Sequence, residues 1–273
     1  MKTASLHAAA DRATAHAWAD FFAAAPADLA AEHGLAHEWH GGALFFRARD
    51  LPRGLFNQAI GLGTHEPATR EGVAAAVEYF RSQSIHNFCI TRVPRAEPPD
   101  LGAWLASHGL VPRSHYPIHT RAADSPLDVN TNLSVDRATP EDAGAVARIL
   151  AAVFDMPAWM EPWVAAAVTR PHWHYFLARD GKYPVGVGAL FVQGDVGWFG
   201  MGGTLHSHRG QGAQRAILSR RIQEAAELGC QLLVCETAQD SPDRPNPSYR
   251  NVTRSGFKPL FTRSVYGPPD PAP

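Results

Sequence analysis

The chemistry most easily read from this chain lies in six residues, Arg209-Gly-Gln-Gly-Ala-Gln214. Just after these glycines, Ile217, Leu218, Ile222, Ala225 and Leu228 fall on one face at helical spacing. Glycine lets the backbone approach an anion closely. The first turn of a helix adds N–H groups without intrahelical partners and a partial positive charge. The expected chemistry is the grip of a phosphate. A dinucleotide fingerprint would want a further glycine near Arg215, and a Walker loop would want Gly-Lys-Ser/Thr; neither is there.

Other clusters carry less. His172-Trp-His174 would face one side of a strand, but no third ligand of suitable spacing follows, so no metal is expected. His206 and His208 bracket the entrance to the glycine turn. Trp159, Trp163, Trp173, Tyr175 and Trp198 are read mostly as core.

These residues need elements to hold them. The run Val196–Gly203 leads into the turn as a strand, the helix is ended by Gly229, and Leu232–Cys235 reads as a buried strand. Upstream, Leu133–Arg137, Tyr175–Arg179 and Val185–Val192 are further strands. Helices are expected from Thr139, as N-cap with Pro140 behind it, to Phe154, and again around 157–169. Downstream, a helix over Asn246–Ser255 stops at Gly256, and Phe257–Tyr266 closes the chain as a strand.

The first half reads similarly. Residues 5–34 are Ala-rich helices, and Leu35–Trp39 and Ala43–Ala48 are strands joined at Gly41–Gly42. Phe56–Gly63 is a short apolar segment, Thr69–Gln83 an amphipathic helix, Asn87–Val93 a strand, Pro99–His108 a helix and Val111–Arg121 an extended tail. The run Ile60–Val73 shadows Phe199–Ala213, and His108–Pro112 shadows Ser255–Pro259. We therefore expect a duplicated fold, with domains over 1–123 and 133–273 and a turn-rich linker over 124–132. Around Arg70 the first copy retains only Gly72, so its phosphate cradle is expected to be lost.

Composition bounds the function. The 273 residues include 25 Lys and Arg against 26 Asp and Glu, a formal charge of −1. A basic field suited to nucleic acid or a membrane surface is missing, so neither is an expected partner. The start has no long apolar run, and the cysteines, Cys89, Cys230 and Cys235, are odd in number. The expectation is a cytoplasmic protein without signal peptide, transmembrane span or disulfide framework.

At Arg209–Gln214 the second half resembles the GNAT N-acetyltransferase superfamily, whose signature is Arg or Gln, two residues, Gly, one residue, then Gly or Ala. SYRNVTRSGF (Ser248–Phe257) resembles the last helix and Gly-Phe stop of that family. The resemblance spans roughly residues 133–267. It implies an α+β fold of two tandem domains, each a twisted, mostly antiparallel sheet flanked by helices, the first a degenerate copy.

It also implies acetyl-coenzyme A as co-substrate. The backbone of Arg209, Gly210, Gln211, Gly212, Ala213 and Gln214 would bind its pyrophosphate. Gly202, Thr204 and Leu205 would pair with the pantetheine arm, and Ser248 and Asn251 would lie near it. Gln214 departs from the pattern and must point away from the phosphates, or the cofactor fits less tightly. An amide within Gly202–Leu205 is the expected oxyanion donor.

Two familiar groups are missing: the strand glutamate is Trp198 here, and the last-helix tyrosine is Val252. Glu236 is the candidate base and Tyr249 the candidate acid; the alternatives are a solvated strand end and a packing tyrosine. Asp155, Trp159 and Trp198 are candidate acceptor contacts, against a turn acid and core aromatics. The implied function is transfer of an acetyl group to the amine of a small molecule, with a homodimer allowed. A non-catalytic acyl-coenzyme A sensor or scaffold, and transfer of another acyl or aminoacyl group, stay open.

Overall fold

The computed structural model describes residues 3–269. The chain forms two compact units. The first comprises the chain up to Ala23, Ala27–Ile118 and the chain from Leu260 onward; the second comprises Ala24–Pro26 and His119–Pro259.

The first unit opens with helices α1 (Thr3–Ala23) and α2 (Ala27–His33), then strands β1 (Leu35–His40), β2 (Ala43–Ala48) and β3 (Gln58–Ile60). β1 and β2 form a hairpin closed at His40↔Ala43, where Gly41 and Gly42 both take positive φ as a tight two-residue turn requires. Helix α3 (Arg70–Arg81) carries β3 over to β4 (Cys89–Arg92), which lies parallel to it. Val73, Ala76, Val77 and Phe80 of α3 are buried at helical spacing. Helix α4 (Leu101–Ser107) and strand β5 (Val111–Ala122) follow, the latter passing into the second unit at His119. Trp18 stacks on Phe46 at 5.2 Å and Phe80 on Phe88 at 4.7 Å within this core.

The second unit repeats the arrangement. Strands β6 (Ser134–Arg137), β7 (Trp173–Asp180), β8 (Tyr183–Gln193) and β9 (Val196–Thr204) are successive antiparallel neighbours. Helices α5 (Ala143–Phe154) and α6 (Glu161–Val168) separate β6 from β7. Helix α7 (Ala213–Glu227) then carries β9 to β10 (Leu232–Glu236), again a parallel neighbour. Helix α8 (Pro247–Arg254) ends at Gly256, whose φ of +81° turns the chain so that Phe257 buries against Phe199 at 5.6 Å. Leu190, Leu218, Ile222, Leu233 and Val252 belong to the same cluster.

The last strand, β11 (Lys258–Gly267), is where the structure departs from the expected 133–273 domain. It pairs antiparallel with β4 of the first unit through Ser264↔Arg92 and Tyr266↔Ile90. Arg263 there forms a 2.8 Å ion pair with Asp11 of α1, both side chains being almost fully buried. The pair ties β11 to α1, and either charge left alone at this burial would be costly. Among the described residues no helix is long and apolar enough to cross a membrane.

Candidate functional site

In the second unit two strands part company. β9 and β10 pair only from Leu232↔Val196 to Cys235↔Phe199, and β9 then continues to Thr204 without β10 beside it. The β8 pairing also breaks here. Ala189 faces Gly200 and Val187 faces Gly203, so Met201 and Gly202 bulge against Gly188, with Met201 at φ +47°. The surroundings demand small residues. A Cβ on Gly203 would stand 2.7 Å from Val153 of α5, and one on Gly200 would enter the Trp198 indole. The result is a fork whose free arm exposes backbone edge.

The glycine turn lies beyond that arm. After a short 3-10 turn at His206–His208, Gly210 (φ +79°) and Gly212 (φ +85°) adopt left-handed conformations that other residues rarely take. Gly212 at the N-cap of α7 offers no side-chain cap to the first-turn amides. In the first unit Thr69 caps α3 by accepting the Gly72 N–H at 3.0 Å. Also there, Glu97 N–H donates to Gly63 O at 2.8 Å and Ala68 N–H to Glu97 O at 2.7 Å. A Cβ on Gly63 would overlap Glu97. The first unit thus satisfies with its own chain what the second leaves open.

A cleft of about 1270 Å³ occupies the fork and turn. It joins Gly202, Gly203 and Thr204 of β9, the whole stretch Arg209–Gln214, and Ser248 and Asn251 of α8. Val153 and Ile217 line it from opposite faces of the sheet, so it passes through the fork. Leu205 stands apart, because its N–H is already given to Val185 O at 2.9 Å. The expected oxyanion donor therefore narrows to Gly202–Thr204.

Gln214 does point away from the turn, but not into solvent. Its Nε2 donates to Ser248 Oγ at 2.8 Å, and its Oε1 accepts from Asn251 Nδ2 at 2.7 Å. The candidate base and acid do not line the cleft. Glu236 is the final residue of β10, and the Tyr249 ring stands 5.0 Å from His119 in an edge-on contact. The candidate acceptor residues are likewise outside its lining. Asp155 caps α5 at φ +50°, Trp159 stacks with Trp163, and the Trp198 indole meets Trp173 edge-on. His206 is in the 3-10 turn, and His208 Nε2 is 3.6 Å from the Asp180 carboxylate. His174 bonds Glu224 at 3.0 Å, whereas His172 packs on Phe191, so the two rings have separate partners.

Two contributors escaped sequence reasoning. The turn-rich segment read as a linker is clamped along α7. Thr131 Oγ1 donates to Gln211 O at 2.7 Å, and Ser219 Oγ both accepts from Leu127 N–H and donates to Leu127 O, at 3.0 and 2.9 Å. Asn130, Thr131 and Asn132 thereby line the cleft. The second is Arg221, on the buried stripe of α7 and only 4% exposed. Burial depresses its guanidinium to about 10. A charge on an otherwise apolar helix stripe was the available signal.

Residues 146–244 match the model of the Acetyltransferase (GNAT) family. Among solved structures, a GCN5-related N-acetyltransferase from Kribbella flavida is similar with a TM-score of 0.63 at 22% identity, covering 87% of this chain and 90% of that one. One from Sphaerobacter thermophilus gives 0.59 at 17% identity, covering 82% and 79%. A tandem GNAT protein from the clavulanic acid biosynthesis pathway, without AcCoA, gives 0.57 at 16%, covering 90% of each chain. At these identities the likeness is one of fold. No curated protein matches the sequence.

Proposed function

With a GNAT-family domain in the second half of the chain as the premise, we propose that the protein is an acetyl-coenzyme A-dependent N-acetyltransferase acting on the amine of a small molecule. The observation that carries this reading is the start of α7, whose N-cap residue is a glycine without a side-chain cap and which follows two left-handed glycines. Those amides form an anion-binding concavity at the positive end of a helix dipole.

The residues suit a coenzyme A diphosphate. Apart from its chain neighbours, no described residue comes within 4 Å of where a Cβ on Gly210 would stand, so the turn has open space on that side. Arg209 and Arg215 line the same cleft. Bound acetyl-coenzyme A would supply an activated acyl group. The chain's own work is then placement: amides of Arg209–Gln214 hold the diphosphate, and the free edge at Gly202 and Thr204 pairs with the amide-bearing arm. An N–H within Gly202–Thr204 stabilises negative charge on the acyl oxygen. Glu236 and Tyr249, both outside the cleft lining, are the proposed proton acceptor and donor, working through bridging water. The first unit, with Thr69 and Glu97 filling the corresponding positions, is a worn copy that has given up coenzyme binding.

Calorimetry with coenzyme A and acetyl-coenzyme A tests the reading. Gly212→Glu should weaken both by about tenfold or more, since it sets an anion where an anion binds. Unchanged affinity in a folded variant overturns the proposal. A second reading, a non-catalytic acyl-coenzyme A sensor or scaffold, is favoured by Trp198 and Val252 standing where the expected glutamate and tyrosine would be. Binding without turnover across a broad amine panel would select it. Turnover abolished by Glu236→Gln would reject it.

A further inference from the structure

Arg221 lies about two turns into α7, beneath the point where β9 and β10 part. Both of its hydrogen bonds run from Nη1, to Ala189 O at 2.9 Å and Gly200 O at 3.4 Å, and its guanidinium lies 4.6 Å from the Phe199 ring centre. Its Nε is buried and has no acceptor among the described residues. No carboxylate is within ion-pair distance of it among them, yet it lines the cleft. The sheet is shaped around the group: a Cβ on Gly188 would stand 3.1 Å from Arg221 Cζ and 3.2 Å from Nε.

A buried cation needs a counter-charge, and carbonyl dipoles and one aromatic face offset the cost only in part. The diphosphate is already answered at the start of α7, and the reacting end of an acetyl thioester is neutral. Neither calls for a guanidinium beneath the fork. Guanidinium groups match carboxylates in shape as well as charge. We propose that Arg221 binds a carboxylate at the inner end of the cleft, carried by a dicarboxylic acyl group on the coenzyme or by an amino-acid acceptor. This rests on the reading of the cleft as a coenzyme A site.

The experiment has two arms, run on the full chain and on Arg221→Lys and Arg221→Met, with circular dichroism confirming that each variant folds. The first compares affinity for succinyl-coenzyme A and acetyl-coenzyme A. The second compares kcat/KM for lysine and cadaverine, which differ by one carboxylate. The wild type should favour the carboxylate-bearing partner in one arm by about tenfold or more. The arm that responds identifies the source. That ratio should fall to near one in Arg221→Met and recover in part in Arg221→Lys, which a purely structural role would not produce. Ratios below twofold in both arms, or a ratio unmoved by Arg221→Met, overturn the inference while coenzyme A still binds. Failure of coenzyme A itself to bind overturns the reading of the cleft and this inference with it.

Discussion

Asn251 on α8 donates to Gln214 on α7 across 2.7 Å, and Gln214 passes the connection on to Ser248 at 2.8 Å. A side chain that breaks the expected pattern of the turn thus ties two helices together at the edge of the cleft. Ser248 and Asn251, expected beside the pantetheine arm, are both held by the Gln214 amide.

Removing that tie should cost stability more than binding. Gln214→Ala deletes two hydrogen bonds, a loss of about 1–2 kcal/mol in urea unfolding. Coenzyme A affinity should stay within about threefold, because backbone amides carry the grip. A larger fall in affinity, read by calorimetry, would mean that Gln214 itself touches the ligand.

Gly188 makes room for α7. A Cβ there would stand 2.6 Å from Ile217 Cγ2 and 3.1 Å from Arg221 Cζ. Gly188→Ala should therefore destabilise the protein by about 1–3 kcal/mol through overpacking. Chemical denaturation checks it, and a variant as stable as wild type would show that α7 shifts freely on the sheet.

In the first unit the Asp11–Arg263 pair is almost completely buried, and Asp11 Oδ2 also accepts from Thr64 Oγ1 at 3.0 Å. Asp11→Ala strands a guanidinium and should cost about 3–5 kcal/mol. Adding Arg263→Met should restore part of that loss. A double-mutant cycle with no coupling would contradict the pairing.

Stability should fall with acid through His174. Burial chiefly, helped by Arg137 and His172, lowers its folded pKa below 6.5, while Glu224 works in the opposite direction. The unfolded chain then binds the proton first. Stability is full above the unfolded pKa of about 6.5 and declines as pH falls towards the folded value. Unfolding free energies measured between about pH 7.5 and about pH 5 should drop. His174→Asn should flatten the curve, leaving among the histidines the contributions of His7, His16 and His65, also lowered by burial. A slope unchanged in His174→Asn would rule out that ring as the source.

Much of this was legible in the chain. Gly41–Gly42 announces a hairpin, Thr69 and Gly212 announce two helix starts of different kinds, and Gly256-Phe257 announces a stop and a core contact. Each signal is local, because φ preference, capping and periodicity act over a few residues. The turn at Arg209–Gln214 was legible for the same reason.

Other features only the tertiary structure decided. β11 completes the sheet of the first unit, the segment before β6 clamps α7, Gln214 reaches α8, and Arg221 turns under the fork. In each case the partner is far away in sequence, so the outcome depends on which surfaces meet and which buried charges find a match. Those terms have no local signature. The place of Arg221 on the apolar stripe of α7 marks it for burial, but only packing fixes which carbonyls and which ring it meets.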